Sequence, residues 1–228
     1  MSNGNHTMKS KLVVRSSDSP LVHSVSHWTI GNEENILAFP DGLWDLVVFK
    51  QEGRVSLFLT GQTSRAVPLP FAAGDEILTI SFKASTFLPF LPATQLLDTA
   101  EILETNGRRF QLGWDNLEIP KFDNAEDLVR LLQKRDVIQS DELVSSYLSG
   151  HPMAASLRSV QRHFLAVTGM SPRKFFLIER ARSAVALLQT GLSASQVAVD
   201  AGYSDQPHLC RSLKAIMGQT PLQIQQTP

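Results

Sequence analysis

A single cysteine, Cys210, in 228 residues leaves no partner for an internal disulfide and no thiolate set for a metal cluster, a usage that fits a reducing cytoplasm. The opening stretch, Met1 to Pro20, lacks the apolar run of a signal peptide or membrane anchor; rich in Ser, Asn, Lys and Gly, it reads as a loose arm. Also missing are a phosphate-cradling glycine loop, a Gly-x-Ser-x-Gly elbow and a His-Glu-x-x-His helix. An enzyme is therefore not expected, and no catalytic residue or cofactor is assigned. His23 and His27 stand four apart, but Ser-Val-Ser between them and Trp-Thr-Ile after them favour an extended segment, so no metal site is expected there. No repeat of fixed period and no low-complexity tract is present.

Charged residues are 19% and apolar residues 43%, ordinary globular composition with enough apolar mass for two cores. The formal net charge of -1 hides an asymmetry. From residue 151 onward Arg158, Arg162, Arg173, Lys174, Arg180, Arg182, Arg211 and Lys214 face only Glu179, Asp200 and Asp205, a net +5, while the first 150 residues carry -6. Attraction for polyanions is thus confined to one end of the chain.

Short runs rich in β-branched and large apolar residues fill the N-terminal half: Trp28 to Ile30, Leu43 to Phe49, Val55 to Thr60 and Ile77 to Phe82. Turn chemistry at Pro40-Asp41-Gly42, Glu52-Gly53, Gly61-Gln62 and Gly74-Asp75 punctuates them. Leu96, Leu97, Ala100 and Leu103 then recur at helical spacing. From Asp123 onward only helices are expected, beginning with Asp123 as a cap three residues before Glu126. Ser140 or Asp141 caps the next. The fold class is α+β: a β-rich N-terminal domain, a small barrel or sandwich, followed by an all-α domain. The expected divisions are an arm over 1–20, the β-rich domain over 21–105, a connector over 106–122 and the helical domain over 123–228.

The helical part repeats one arrangement. In the first copy, about 156–167, Leu157, Val160, Phe164 and Val167 share a face, and the other side presents Arg158, Gln161, Arg162 and Leu165. Arg pairs bidentately with guanine O6 and N7, and Gln with adenine N6 and N7, so this cluster suits a helix in the major groove. In the second, Ser193 caps a short helix packed by Val197, Ala198 and Ala201 that exits through Gly202. A further helix over about 205–217 packs through Leu209, Leu213 and Ile216, leaving Gln206, Cys210, Arg211 and Lys214 outward. Between the units Leu177, Ala181, Ala184, Val185 and Leu188 form a long apolar stripe, with Arg173 and Lys174 in its first turn placed to meet phosphate.

At these positions the sequence resembles the AraC family of transcription regulators, a bacterial type. The matching strings are Ser156-x-Arg158-x-Val160-Gln161-Arg162-x-Phe164, Thr168-Gly169-Met170-Ser171-Pro172, Ala198 through Gly202-Tyr203, Asp205-Gln206-Pro207-His208-Leu209-x-Arg211-Ser212 and Gly218-Gln219-Thr220-Pro221. Together they span roughly residues 124 to 226. The resemblance implies about seven helices with two helix-turn-helix units whose recognition helices enter successive major grooves of double-stranded DNA. By the same resemblance Arg158, Gln161, Arg162, Gln206, His208 and Arg211 contact bases; Arg173, Lys174 and Lys214 are phosphate candidates. Two departures stand out: the turn from Gly150 to Ser156 is longer than usual, and Leu213 occupies a position where many members have Phe. Phe39-Pro40-Asp41-Gly42-Leu43-Trp44-Asp45-Leu46 and Leu59-Thr60-Gly61 resemble the β-rich regulatory domain of one branch, which implies sensing of a small-molecule effector or assembly; a purely structural turn and strand is the other reading of Pro40-Asp41-Gly42.

The expectation is a cytoplasmic, sequence-specific DNA-binding regulator that works with RNA polymerase and has no membrane partner. The two half-sites would lie about one helical turn, roughly 34 Å, apart. Two units in one chain make dimerisation unnecessary for such a footprint, and a homodimer is left open. The alternatives are a small-molecule receptor and a protein-interaction module that has lost DNA binding. His163 is open between a DNA contact and a packing role, and Cys210 between a redox brake and a tolerated small residue.

Overall fold

Alternation of apolar and polar residues, which lets a strand bury one face and wet the other, organises the N-terminal half. The computed structural model describes residues 9–151 and 154–226. Its strands there are β1 (Lys11–Arg15), β2 (Val22–Thr29), β3 (Glu34–Ala38), β4 (Trp44–Gln51), β5 (Arg54–Thr60), β6 (Val67–Phe71), β7 (Glu76–Phe82), β8 (Thr86–Phe87) and β9 (Ala100–Leu103). Six of them form one sheet in the order β1-β2-β7-β4-β5-β9, every neighbouring pair antiparallel. Leu46, Leu57, Leu59, Ile80 and Phe82 all lie on its buried face, where the Trp44 and Phe82 rings stack at 4.0 Å. That face packs on α2 (Ala125–Lys134), through Leu128, Val129 and Leu132, and on a meander of β10 (Thr105–Asn106), β11 (Arg109–Leu112) and β12 (Asp115–Glu118). The other face carries Asp45, Val47, Thr60, Thr79 and Ser81, all half-buried. Phe71 of β6, paired with β3, approaches it at Trp28 and Phe49.

Four sequence expectations are corrected here. Lys11 to Arg15, assigned to a loose arm, is the edge strand β1; Leu12 and Val14 stay exposed, so burial left no signature, and what fastens the strand is backbone pairing. Its end is anchored by Arg15, which donates to Phe122 O (2.6 Å) and Glu126 Oε2 (2.6 Å) and holds the Glu126 carboxyl below its ordinary range. Residues 106–122, read as a connector, hold the meander, whose Phe110, Leu112 and Leu117 are buried. The helical spacing at Leu96 to Leu103 misleads: α1 (Ala93–Leu96) stops after one turn, and Ala100–Leu103 pairs with β5. Finally, Asp123 does not cap α2. A 3-10 turn over Phe122–Asn124 precedes that helix, and the Asn124 side chain accepts from Lys121 N. Residues 1–8 of the expected arm lie outside the described residues, as do 152–153 and 227–228.

After α2 a two-residue strand, β13 (Gln139–Ser140), pairs with β8, a short exception to the all-helical expectation. Then come α3 (Glu142–Leu148), α4 (Leu157–Thr168), α5 (Pro172–Gln189), α6 (Ala194–Asp200), α7 (Gln206–Ile216) and α8 (Pro221–Gln226). Their shared core runs from Val144 through Phe164, Ile178, Leu188, Val197, Leu209 and Leu213 to Ile224, and Phe39, Ala84, Phe87 and Leu97 of the N-terminal half pack on it. The β-rich region is therefore followed by a helical one joined to it along an apolar seam. No helix among the described residues is long and apolar enough to cross a membrane.

Candidate nucleic-acid interface

The two helices expected to read DNA, α4 and α7, each begin with a side chain that satisfies a free helical N–H. Ser156 accepts from Ser159 N at the start of α4, and Asp205 accepts from His208 N (2.6 Å) at the start of α7. The partner helices start alike, with Asp141 at α3 and Ser193 at α6. In the bridging helix α5, Ser171 is the cap and Pro172 fills the first turn, where a missing N–H costs little.

The apolar stripes seat these helices with two changes from expectation. On α4, Val160, Phe164 and Val167 are buried, but Leu157 is 76% exposed, because the helix's first turn overhangs the helices it packs on. It edges a cleft of about 260 Å³ that α4 forms with Tyr147 of α3 and with Pro172, Arg173 and Phe176 of α5. On α5, Leu177 is exposed and the buried positions are Phe175, Ile178, Ala181, Ala184, Val185 and Leu188. On α7, Leu209, Leu213 and Ile216 are buried as expected.

Outward from those stripes, Arg158, Gln161 and Arg162 stand exposed on α4, Arg211 on α7, and Arg173 and Lys174 in the first turn of α5. Among the described residues, none of these side chains has a hydrogen-bond or ion-pair partner within the chain. The other basic residues of the region do. Arg182 pairs with Glu179 and donates to Asp41 O (3.0 Å); Arg180 lies over the Tyr203 ring at 4.4 Å and donates to Gly202 O; Lys214 donates to Gly218 O (2.9 Å). Gln206 is exposed, its Oε1 accepting from Ser195 of α6 (2.9 Å) and its amide N–H groups free. His208 is half-buried, edge-on to Tyr203 with Nδ1 3.0 Å from Ser204 Oγ, which leaves Nε2 for a ligand.

Three contacts shape the units that sequence reading did not assign. His163 Nδ1 meets Asp141 Oδ2 at 2.7 Å, so one carboxylate caps α3 and grips α4. Arg180 fastens α5 to the turn between α6 and α7. Gly169 ends α4 at φ 72°, and a Cβ there would sit 2.7 Å from Ala93 O of the N-terminal half. Of these, only Gly169 carried a sequence signal, a glycine just past a helix end. Cys210 is half-buried on α7.

Residues 152–227, spanning α4 through α8, match the family model of a helix-turn-helix domain. The C-terminal region holds a helix-turn-helix domain. The chain thus carries the DNA-binding part of a transcription regulator. No curated protein matches the sequence at a significant level. Among solved structures it is similar to ToxT from Vibrio cholerae. One ToxT structure at 1.65 Å resolution has 11% identity and a TM-score of 0.41, covering 94% of this chain and 96% of that one. An apo form from strain SCE256 has 11% identity and a TM-score of 0.39, covering 92% and 98%.

Proposed function

We propose that this chain is a sequence-specific regulator in which α4 and α7 enter successive major grooves on one face of duplex DNA. Arg158, Gln161 and Arg162 read one half-site; Gln206, His208 and Arg211 read the next, roughly 34 Å away. Arg173 and Lys174, at the N-terminal end of α5 where free N–H groups and the helix dipole favour anions, hold phosphate, with Lys214 near the end of α7. The observation that carries this reading is the sorting of cations: Arg158, Arg162, Arg173, Lys174 and Arg211 are exposed with no partner among the described residues, while Arg180 and Arg182 are used within the protein and Lys214 is tied to Gly218 O. The β-rich region acts as the sensing or assembly module and the helical region as the reading head. It works in the cytoplasm with RNA polymerase, and it binds DNA without needing a homodimer.

Selection of purified protein on a randomised duplex library at two salt concentrations tests this. Two enriched blocks about one turn apart are expected. Salt-sensitive binding without enrichment would reduce the protein to a nonspecific binder, and absence of binding at both salts would overturn the assignment.

A further inference from the structure

Gln161 of α4 and Gln206 of α7 are the outward-facing amides of the two reading helices, and both are exposed. Their surroundings differ. The Gln161 side chain has no hydrogen-bond partner among the described residues, so its oxygen and its N–H groups are all open to a base. Gln206 is engaged: Ser195 Oγ, in the first turn of α6, donates to Gln206 Oε1 across the unit at 2.9 Å. Backbone N–H groups at the start of a helix lack intrahelical partners, and their positive ends favour an approaching carbonyl oxygen over an approaching N–H. Neither end of the contact is free to drift. Val197 and Ala198 of α6 and Leu209 and Leu213 of α7 are buried in one core, and Arg180 lies over the Tyr203 ring in the turn between the helices.

The bond decides which groups Gln206 offers. An amide reads adenine with both ends at once, its oxygen accepting from N6 and its nitrogen donating to N7. With Oε1 turned back toward α6, what faces outward is Nε2 with its two hydrogens. Guanine meets two adjacent donors with two acceptors, O6 and N7, whereas thymine offers one, O4, beside a methyl group. Turning the amide to suit adenine would break the Ser195 bond. In water that loss is small, because solvent replaces the partner; in a groove closed by DNA the hydroxyl would be left without one. Arg211 on the same helix has donors only.

We propose that Ser195 is a positioning residue that sets the base preference of Gln206, so that this amide selects guanine over adenine in the half-site read by α7. The uncommitted amide of Gln161 keeps adenine as its partner in the half-site read by α4. The inference rests on the DNA-reading role proposed above and adds to it a chemical difference between the half-sites. Gln206 and Arg211 present donors and take an acceptor-rich sequence, while α4 presents donors and an acceptor together.

The test compares the duplexes selected from the randomised library by the full chain and by its Gln206→Ala, Ser195→Ala and Ser195→Thr variants. Gln206→Ala locates the position, because base preference is lost there. At that position wild type and Ser195→Thr, which keeps the hydroxyl, should select guanine. Ser195→Ala should shift the choice toward adenine several-fold and leave the block read by α4 unchanged. Kd values on two duplexes that differ only in this base pair should show the same shift in their ratio. A Ser195 that merely supports the fold, or gives its hydroxyl to a phosphate, would change affinity for both duplexes alike and leave the ratio as it was; that result would overturn the proposal. Adenine selected by wild type, or no position relaxed by Gln206→Ala, would overturn it as well, with two enriched blocks still upholding the regulator reading. Absence of enrichment in wild type would overturn the regulator reading and this inference with it.

Discussion

The two helix-turn-helix units use the same parts and are held in different ways. The second has a five-residue link from Ala201 to Asp205 between α6 and α7, Ser195 reaches Gln206, Arg180 of α5 clamps the turn through Tyr203, and Ala66 N of the N-terminal half donates to Ile216 O at the far end of α7 (2.7 Å). The first has a longer link, from Ser149 to Ser156; His163 on Asp141 ties α4 to its own partner helix α3, and Gly169 at the end of α4 lies against Ala93 of the N-terminal half. A helix positioned by its own unit presents its side chains the same way whatever the rest of the chain does. One positioned by a neighbouring domain reports on that domain. Both helices touch the N-terminal half at their C-terminal ends, α7 through one backbone hydrogen bond and α4 through close packing of Gly169 on Ala93, so a displaced seam should be felt first at α4.

The sharpest way to break this comparison is at the Gly169 contact. Gly169→Val places a β-branched residue at positive φ and a Cβ against Ala93 O, which should destabilise the chain by about 2–3 kcal/mol or force the seam apart. In the selection experiment the block read by α4 should blur while the block read by α7 stays sharp. Equal blurring of both would show that the units are not separately held. Arg162→Ala and Arg211→Ala should each cost about 1–3 kcal/mol of binding and relax base preference only in their own block. Binding by both variants as tight as wild type would remove these residues from the base-reading set. Arg180→Leu, measured the same way, should lose about 1 kcal/mol of cation–π and packing energy and disturb the second block only.

The helical half was the more legible from sequence, for a physical reason. Serine and aspartate caps, the Val160-Phe164-Val167 spacing and the glycine exits are local, and each specifies a helix end or face from a few adjacent residues. The outward positions of Arg158, Arg162 and Arg211 follow from the same periodicity. The misreadings lie where long-range partners decide. Ala100 to Leu103 has helical spacing, yet the open edge of β5 takes it as a strand. Leu157 fits the apolar stripe, but among the described residues nothing covers it in that first turn. The Asp141–His163 grip and the Ser195–Gln206 bond join residues on different elements, and no local pattern announces either.

The smallest expected effect concerns how far the β-rich half can be heard at α5. Asp45 sits four residues from Asp41, whose carbonyl accepts from Arg182, and Gly42 lies against Phe175. Burial first, and Asp41 second, push the Asp45 carboxyl from 3.8 up to about 7, and its Oδ1 has no partner. Because the folded state holds this proton more tightly than the unfolded one, the group's contribution to stability declines as pH rises from about 4 to about 7 and is level above. Asp45→Asn should remove that decline and raise Tm at pH 8 by on the order of 3 °C, with little change at pH 4. Thermal melts across this range check the sign: a variant that melts lower than wild type at pH 8 would mean that the ionised carboxylate is held by a partner. If the melts behave as expected and the duplex Kd of wild type, unlike that of Asp45→Asn, also drifts between pH 6 and 8, the Asp41–Gly42 turn carries the protonation state to α5. A flat Kd in both would confine Asp45 to the stability of its own domain and leave the seam at α4 as the route between the halves.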